Sequence, residues 1–522
     1  MRKLAREWVI VIILAVIAAC AGVGFFFLVH SLAPKLRQMA EERTELYFRS
    51  HFHSNVEISG FHVGSVFPHL QVTIRGVVLR RIAQPDEPPV VQMERLTFDA
   101  RTLSVFSHHP VIKGVELEGL EIRIPPRPKG SAPLISASDK NFAKNYPVVV
   151  QSVYVNNADL IILPRDPSKN PHTFELHRIV LGPLGAGRPA KFQADLTNPV
   201  PKGQIQSTGV FGPWDADDPG STPVAGHYVF QNADMSTIKG LHGILSSTGQ
   251  FTGPLNYLSV NGETEIPDFS LRTTHHPVDL RTTYSAIVDG TNGNTILNDV
   301  VARFEHSTLD VKGEVVDKTP KRGRTIVMNA VTEDASVQDL LRLAVDSEPP
   351  VMKGSARLRT KIEIGEGQED LVDRMRLQGQ FAIAGARFSS PATAQKIETL
   401  SLKGQGKPNA PAIDDPVSDF SGNLIVAKGL VTLSELKFDV TGAAVALDGT
   451  YSLDSGQLDL RGKLRMQAKL SQTTTGAKSF FLKAIDPFFA GKGAGTVLPI
   501  KITGTKDNPS FGLDFHDSAN RE

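Results

Sequence analysis

Histidines come closer than any other side chain of this sequence to a pattern for metal binding. His51 and His53 lie two residues apart, so in an extended segment both project from the same face. His62 or His69 could join them as a further ligand. No cysteine or well-placed carboxylate completes a tetrahedral set. The pattern favours ordinary surface or interface histidines, and we predict no metal site.

Motifs of nucleophilic and nucleotide-dependent enzymes are missing from the sequence. There is no Gly-x-Ser-x-Gly elbow, and Lys492 lies between two glycines without the remaining spacing or the Ser/Thr of a phosphate loop. Asp217 and Asp218 could hold calcium, but aspartates in a Pro/Gly-rich loop usually cap their own backbone. We therefore predict no catalytic residue, no cofactor and no enzymatic activity.

Charge and cysteine content exclude two further classes. The net charge is +1 and no basic block occurs, which argues against nucleic acid as a partner. Cys20 is the only cysteine, so no disulfide can form within the chain and packing and hydrogen bonds must hold the fold.

The N-terminus predicts a single membrane span. Residues 8–29 form an uncharged, predominantly apolar run, which as a helix would measure roughly 33 Å, enough to cross a bilayer core. Arg2, Lys3 and Arg6 precede it, so the cationic bias places residues 1–7 in the cytoplasm and the rest of the chain across the membrane. Residues 30–50 continue as a helical stalk.

A lipid anchor at Cys20 is the alternative to a plain span. Residues 17–20 loosely resemble a lipoprotein cleavage box, but apolar sequence continues beyond them, whereas a lipoprotein would normally turn polar. Both alternatives tether the following residues to a membrane.

Beyond residue 50 the hydrophobic period is two almost everywhere, which predicts a mainly β fold. In residues 458–470 every apolar or small side chain falls on one face of the strand and every polar one on the other. Residues 356–364 and 375–383 repeat the pattern. The eight apolar residues that we select from these strands as lining candidates are Leu358, Ile362, Leu377, Phe381, Leu458, Leu460, Leu464 and Met466.

An internal repeat supports a stacked, elongated antiparallel sheet. Residues 297–313 align without gaps to residues 433–449, each predicting a strand, a turn at His306–Ser307 or Thr441–Gly442, and a returning strand. The alternative is that any two β-hairpins show this degree of sequence similarity. We predict three β modules, at residues 51–165, 166–345 and 346–522.

Few helices are predicted outside the membrane segment and stalk. Residues 333–345 have an apolar face and an acidic first turn. Residues 477–489 form a short, strongly apolar helix with Phe480, Phe481, Ile485 and Phe488. This second helix either touches lipid and closes a groove or packs over the last part of the sheet.

The chain resembles the AsmA-like family, within the wider group of repeating β-groove, bridge-like lipid-transfer proteins. The segments that carry the resemblance are the N-terminal span and residues 72–124, 339–343 (DLLRL), 377–381 (LQGQF), 447–451 (LDGTY), 485–489 (IDPFF) and 498–513 (LPIKITGTKDNPSFGL). The resemblance implies an elongated, curved, groove-like or taco-shaped antiparallel sheet after the N-terminal helix. It also implies a single-pass protein of a bacterial inner membrane whose bulk is periplasmic.

Two hypotheses for function follow, and the alternation of side chains does not separate them. The first is a groove whose apolar floor binds or conducts the acyl chains of membrane phospholipid for outer-membrane biogenesis. The second is a non-transporting scaffold with a filled core that supports outer-membrane protein assembly. Phospholipid is the partner in the first hypothesis, and other envelope proteins are partners in the second.

The topology is directly testable. Alkaline phosphatase fused after Glu522 should be active in intact cells, because the cationic N-terminus directs the following residues across the membrane. The same reporter fused after Glu7 is the control and should be inactive. An inactive reporter at Glu522, with the fusion intact, would contradict the predicted topology.

Overall fold

The computed structural model describes residues 54–63, 68–81, 88–101, 111–124, 149–163, 171–184, 188–213, 215, 218–272, 274, 276–319, 323–345, 348–367, 369–411, 418–474, 495–506 and 508–514. The predicted span at 8–29, the stalk at 30–50 and the apolar helix at 477–489 lie outside these residues, so they remain predictions. Among the residues described, no helix is long and apolar enough to cross a membrane.

The described chain is mainly β, as the two-residue period predicts. The strands are β1 Ser54–Val63, β2 His69–Arg81, β3 Val91–Arg101, β4 Val111–Ile124, β5 Val149–Val150, β6 Val153–Ile162, β7 His172–Gly182, β8 Ala190–Pro199, β9 Lys202–Phe211, β10 Pro223–Asp234, β11 Leu241–His242, β12 Ile244–Pro254, β13 Leu258–Leu271, β14 Val278–Val288, β15 Thr295–Phe304, β16 Ser307–Thr319, β17 Gly323–Ser336, β18 Met352–Ile364, β19 Met375–Phe388, β20 Ser418–Ala427, β21 Leu430–Val440, β22 Ala443–Ser452, β23 Gln457–Met466, β24 Thr496–Thr505 and β25 Pro509–Leu513.

Helices are few and short. The α-helices are α1 Val337–Ala344, α2 Leu371–Arg374 and α3 Pro391–Gly404, and the 3-10 helices are Pro219–Ser221, Met235–Thr237 and Leu470–Thr473.

The chain divides into two compact units. Of the described residues, the first unit contains those up to Thr237 together with Leu245–Thr264 and Ser285–Ile296. The second contains Ile238–Ile244, Glu265–Tyr284 and the described residues from Leu297 onward. The three predicted modules, at 51–165, 166–345 and 346–522, remain a prediction.

Among β1 to β10, the strand pairings are antiparallel except for two that involve β4. β1 to β4 form a meander, and β6 to β10 continue it in the same manner. β4, however, pairs in parallel with both β5 and β6, which departs from the all-antiparallel prediction. Parallel neighbours need a crossover of a dozen or more residues, and the chain supplies the length between Ile124 and Val149.

In the second unit, β16 to β25 each pair antiparallel with the next strand. The strands at residues 356–364 and 375–383 are confirmed as parts of β18 and β19. The strand predicted at 458–470 ends earlier, at Met466. The reason is that the backbone N–H of Ala468 donates to the carbonyl of Gly404 at 2.9 Å, and a 3-10 helix begins at Leu470.

The helices also differ from the prediction. The helix expected at 333–345 begins only at Val337, where the side chain of Ser336 caps the backbone N–H of Asp339, and the preceding residues belong to β17. Helix α3 was not predicted. Its start carries the usual signals, a capping Ser390 followed by Pro391 in the first turn, but its weak apolar periodicity conceals it.

The repeated hairpin is confirmed in its second copy, where β21 and β22 turn at Thr441–Gly442. In the first copy β15 ends at Phe304 and β16 begins at Ser307, so the turn lies at Glu305–His306, one residue before the predicted position.

Each unit has a cluster of buried apolar side chains that comes from alternate strand positions. In the first unit the cluster is built on β1–β4, β6 and β7, and its largest fully buried members are Met93, Leu96, Leu117, Leu120 and Ile122. In the second it consists of Leu436, Ala443, Val445, Leu447, Leu460, Leu464, Met466 and Leu498. We call these the first and second buried clusters.

Gly462 of β23 tests the close packing of the second unit. A Cβ atom there would overlap the backbone carbonyl oxygen of Ala446, so Gly462→Ala should lower the free energy of unfolding by about 1–3 kcal/mol. Gly512→Ala in β25 is the control, because the nearest atom to its new Cβ is the Lys501 side chain at 3.7 Å. Urea unfolding of the full chain in detergent measures both, and equal stability of the two variants would contradict the register of β22 and β23.

Candidate functional site: the apolar face of the sheet

The eight residues selected from the sequence lie on the apolar face of the second unit. Leu358 is opposite Phe381 across β18 and β19, and Ile362 is opposite Leu377. These four side chains are half-buried. The alternation therefore places all four on one face, as predicted.

The remaining four residues follow β23. Leu464 lies between Val445 of β22 and Leu498 of β24, and Leu460 is opposite Ile502 of β24. Leu460, Leu464 and Met466 expose only 7%, 9% and 5% of their surface, while Leu458 packs against them from the edge of the cluster. Phe381 also packs against the second buried cluster, whereas Leu358, Ile362 and Leu377 are not among its members.

Aromatic rings extend the second buried cluster toward β19. The ring centroids of Phe420 and Phe438 are 4.6 Å apart, and those of Phe388 and Phe420 are 5.8 Å apart. Phe420 and Phe438 are directly opposite across β20 and β21. These half-buried rings continue the apolar face from the second buried cluster toward β19.

Helix α3, which was not predicted, covers part of the second buried cluster. Leu400 packs against the second buried cluster, and Ile397 is itself buried. The Ser401 hydroxyl donates to the Thr441 carbonyl oxygen at 2.8 Å, which ties the helix to the turn between β21 and β22. The Lys396 ammonium of α3 lies 5.0 Å from the centroid of the Phe511 ring of β25. The predicted residues Phe480, Phe481, Ile485 and Phe488 lie outside the described residues.

The apolar face of β8, β9, β10 and residues 245–254 of β12 in the first unit is only partly covered by protein. Phe192 and Phe251 stack with their ring centroids 6.5 Å apart. Between their strands, Gly209 and Gly226 are directly opposite each other, and the two rings lie against the space that their missing side chains leave. Both rings remain half-buried, so an aromatic floor here has one side without full protein cover.

Beside the aromatic floor runs a line of neutral hydroxyl groups. The Tyr228 hydroxyl lies 3.2 Å from that of Ser247, and the Thr264 hydroxyl donates to Ser247 Oγ at 3.1 Å. Ser247 donates in turn to the Glu263 carbonyl oxygen at 2.9 Å. These polar groups pair with one another and with the backbone, so the line adds no charge to the face. Alternation alone did not single out these residues.

A cleft of the second unit has charged and apolar side chains in its lining. A cleft of about 510 Å³ is lined by Glu333, Asp334, Ser355, Arg357, Ala382, Ile383, Ala384, Asp419, Phe420, Ser421 and Asp439. Glu333 pairs with Arg359 at 2.9 Å, and Asp334 accepts from the Ser355 hydroxyl at 2.6 Å. Within the described part of the chain, no group of three His, Cys, Asp or Glu side chains is placed to hold a metal ion.

Comparison with models of known protein families and with curated proteins found no match.

Leu464 and its neighbour Lys463 test where the face is filled. Leu464→Asp places a carboxylate in the second buried cluster without a partner, so it should lower the free energy of unfolding by several kcal/mol. Lys463→Asp changes an exposed side chain on the same strand and should alter stability by less than about 0.5 kcal/mol. Thermal unfolding of the full chain measures both. A stable Leu464→Asp variant would show that this part of the face is open.

Proposed function

We propose that this chain is a membrane-anchored periplasmic protein of the AsmA-like type, which binds phospholipid acyl chains along the apolar face of its β-sheet. It would hold or conduct these chains during biogenesis of the bacterial envelope and outer membrane. Half-buried apolar side chains of the sheet supply the contacts to the acyl chains, and no bond is made or broken.

The observation that carries the proposal is the unequal burial of the apolar face. On β9, Ile205, Ser207 and Gly209 are half-buried while the residues between them are exposed. Ile205 is opposite Leu196 of β8 and Phe230 of β10, which are also half-buried. The two buried clusters have their fully buried members on β1–β7 and on β21–β24. From β8 to β13 the fully buried apolar residues in the described chain are scattered, as Ala190, Val224, Ala233, Met235 and Ile266.

An apolar surface of this kind needs a cover, because leaving it in water costs roughly 25 cal/mol per Å². An acyl chain supplies such cover without hydrogen bonds, which suits a floor of phenyl rings, glycines and mutually paired hydroxyls. The neutral floor also carries no charge that burial under a hydrocarbon chain would penalise.

The scaffold hypothesis has its own support in the second unit. Leu460, Leu464 and Met466 belong to the second buried cluster, so three of the eight residues chosen from the sequence as lining are covered by protein. If the whole apolar face were filled in this way, the protein would serve as a rigid support for outer-membrane protein assembly, with other envelope proteins as its partners.

Two positions on β9 separate the alternatives. Ile205→Asp puts a charge on the half-buried face and should reduce co-purifying phospholipid about tenfold, since losing one such apolar contact costs roughly 1.5–3 kcal/mol. Val210→Asp is the control, because Val210 is 41% exposed on the opposite face, and lipid content should not change. Mass spectrometry of lipids extracted from the purified full chain measures both.

A wild-type protein that is folded and carries no phospholipid would contradict the proposal and favour the scaffold. A lipid content that Ile205→Asp leaves unchanged would show that lipid is bound elsewhere on the chain, and equal loss in both variants would contradict binding to the half-buried face of β9.

A further inference from the structure

Two large apolar side chains are exposed on β25, the last described strand of the second unit. Phe511 and Leu513 are 51% and 45% exposed. They are two residues apart, so they project from the same face of the strand, and across β24 they are opposite Ile502 and Ile500. Both isoleucines pack against the second buried cluster. The apolar face therefore continues beyond this cluster to side chains that the described part of the chain covers only in part.

Positive charge flanks these two side chains. Lys501 is the only charged residue within β24 and β25, and the ammonium of the exposed Lys396 lies over the Phe511 ring. Within the described residues, neither lysine forms an ion pair with a carboxylate. The turn between β24 and β25 adds one charge of each sign. We call Phe511, Leu513, Lys396 and Lys501 the margin.

On the polar face beside the margin, cations outnumber carboxylates. Arg461 Nε lies 3.2 Å from Asp459 Oδ1, and Arg461 Nη1 lies 3.6 Å from Asp514 Oδ2, so one guanidinium serves both carboxylates. Lys463 is exposed on the same face and, like Lys501, has no ion pair in the described part of the chain. The charge around the margin is therefore positive and complements an anionic surface.

The edge of β25 is poorly suited to pairing with another strand. The N–H of Asp514 bonds toward β24, and the alternation of an antiparallel pair then leaves outward N–H groups within β25 only on Phe511 and Leu513. Pro509 has no N–H, and its carbonyl oxygen accepts from Lys396 Nζ at 3.3 Å. Short edges that carry Pro and Lys are a common protection against strand pairing. The exposed apolar side chains thus fit a partner that is not a strand.

We propose that the margin docks on the surface of a bilayer with anionic head groups. The Phe511 and Leu513 side chains enter the interface, and the ammonium groups of Lys396 and Lys501 contact phosphates. Aromatic and aliphatic side chains beside lysines are typical of protein surfaces that lie in the membrane interface. The inference goes beyond the proposed function, because the margin engages the bilayer surface whether or not the sheet holds an acyl chain.

A site-specific fluorescent probe tests this with the full chain in vesicles of phosphatidylethanolamine and phosphatidylglycerol. Leu513→Cys and Leu430→Cys, at positions 45% and 44% exposed, are each made in a Cys20→Ala background and labelled with an environment-sensitive nitrobenzoxadiazole group. A doxyl-labelled phospholipid in the vesicles quenches probes that touch the bilayer. The Leu513→Cys probe should shift to the blue and be quenched, and the matched Leu430→Cys probe on β21 should do neither.

Charge and apolar contact are then varied in the Leu513→Cys background. Lys501→Gln should lower the ratio of docked to undocked probe about fivefold, the factor for one lysine near an anionic surface. Lys353→Gln is the matched control, since Lys353 is an exposed lysine of β18 outside the margin, and it should leave the ratio unchanged. Phe511→Ser should lower the ratio about tenfold or more, because it removes the larger inserted side chain.

Three outcomes would overturn the inference. The first is equal quenching of the two probes. The second is docking that is unchanged both by Lys501→Gln and by vesicles of phosphatidylcholine alone. The third is a blue-shifted Leu513→Cys probe that the doxyl lipid does not quench, which would show that protein covers the margin.

Failure of docking and failure of the proposed function are distinguishable. Any of these three outcomes leaves the proposed function intact if phospholipid co-purifies with the wild type. A wild type that docks but carries no phospholipid contradicts the proposed function alone and supports the docking of the margin.

Discussion

Alternating side chains give the strands of this protein one face that water disfavours, and the fold depends on how that face is covered. Pairing with neighbouring strands satisfies the backbone hydrogen bonds of each strand, but it does not remove the apolar side chains from water. A sheet with one apolar face therefore needs a cover over that face. Within each unit, different parts of the apolar face are covered in different ways. The first and second buried clusters cover the face with protein side chains, and helix α3 adds a further cover over the second cluster.

Between the two clusters in the chain, the cover is thinner. The rings of Phe192 and Phe251 lie over the paired glycines of β9 and β10, and both rings remain half-buried. The hydroxyls of Tyr228, Ser247 and Thr264 hydrogen-bond to one another beside these rings, so they need no hydrogen bond from a ligand. An uncharged, half-buried apolar surface suits a ligand that makes apolar contacts and forms no hydrogen bonds.

The sequence predicted well whatever depends on local alternation. The faces of β18, β19 and β23 follow directly from the period of two, and so does the position of the hairpin turn at Thr441–Gly442. It predicted poorly what depends on contacts between distant segments. The end of β23 at Met466 depends on a backbone bond from Ala468 to Gly404, and Gly404 belongs to a helix with few apolar signals. A local pattern also cannot predict the parallel pairing of β4 with β6, the burial of Leu464 or the contact between Arg272 and Asp370. Each of these joins residues that are far apart in the chain.

We propose that lipid rather than protein covers the half-buried apolar face of β8, β9, β10 and residues 245–254 of β12. A density map of the full chain, purified from its own membrane into lipid nanodiscs, tests it most directly. We expect elongated density without side-chain connections along Ile205, Phe230 and the Phe192–Phe251 pair, with the length and width of acyl chains. Density from another part of the chain on this face, or only ordered water over it, would contradict binding of lipid there.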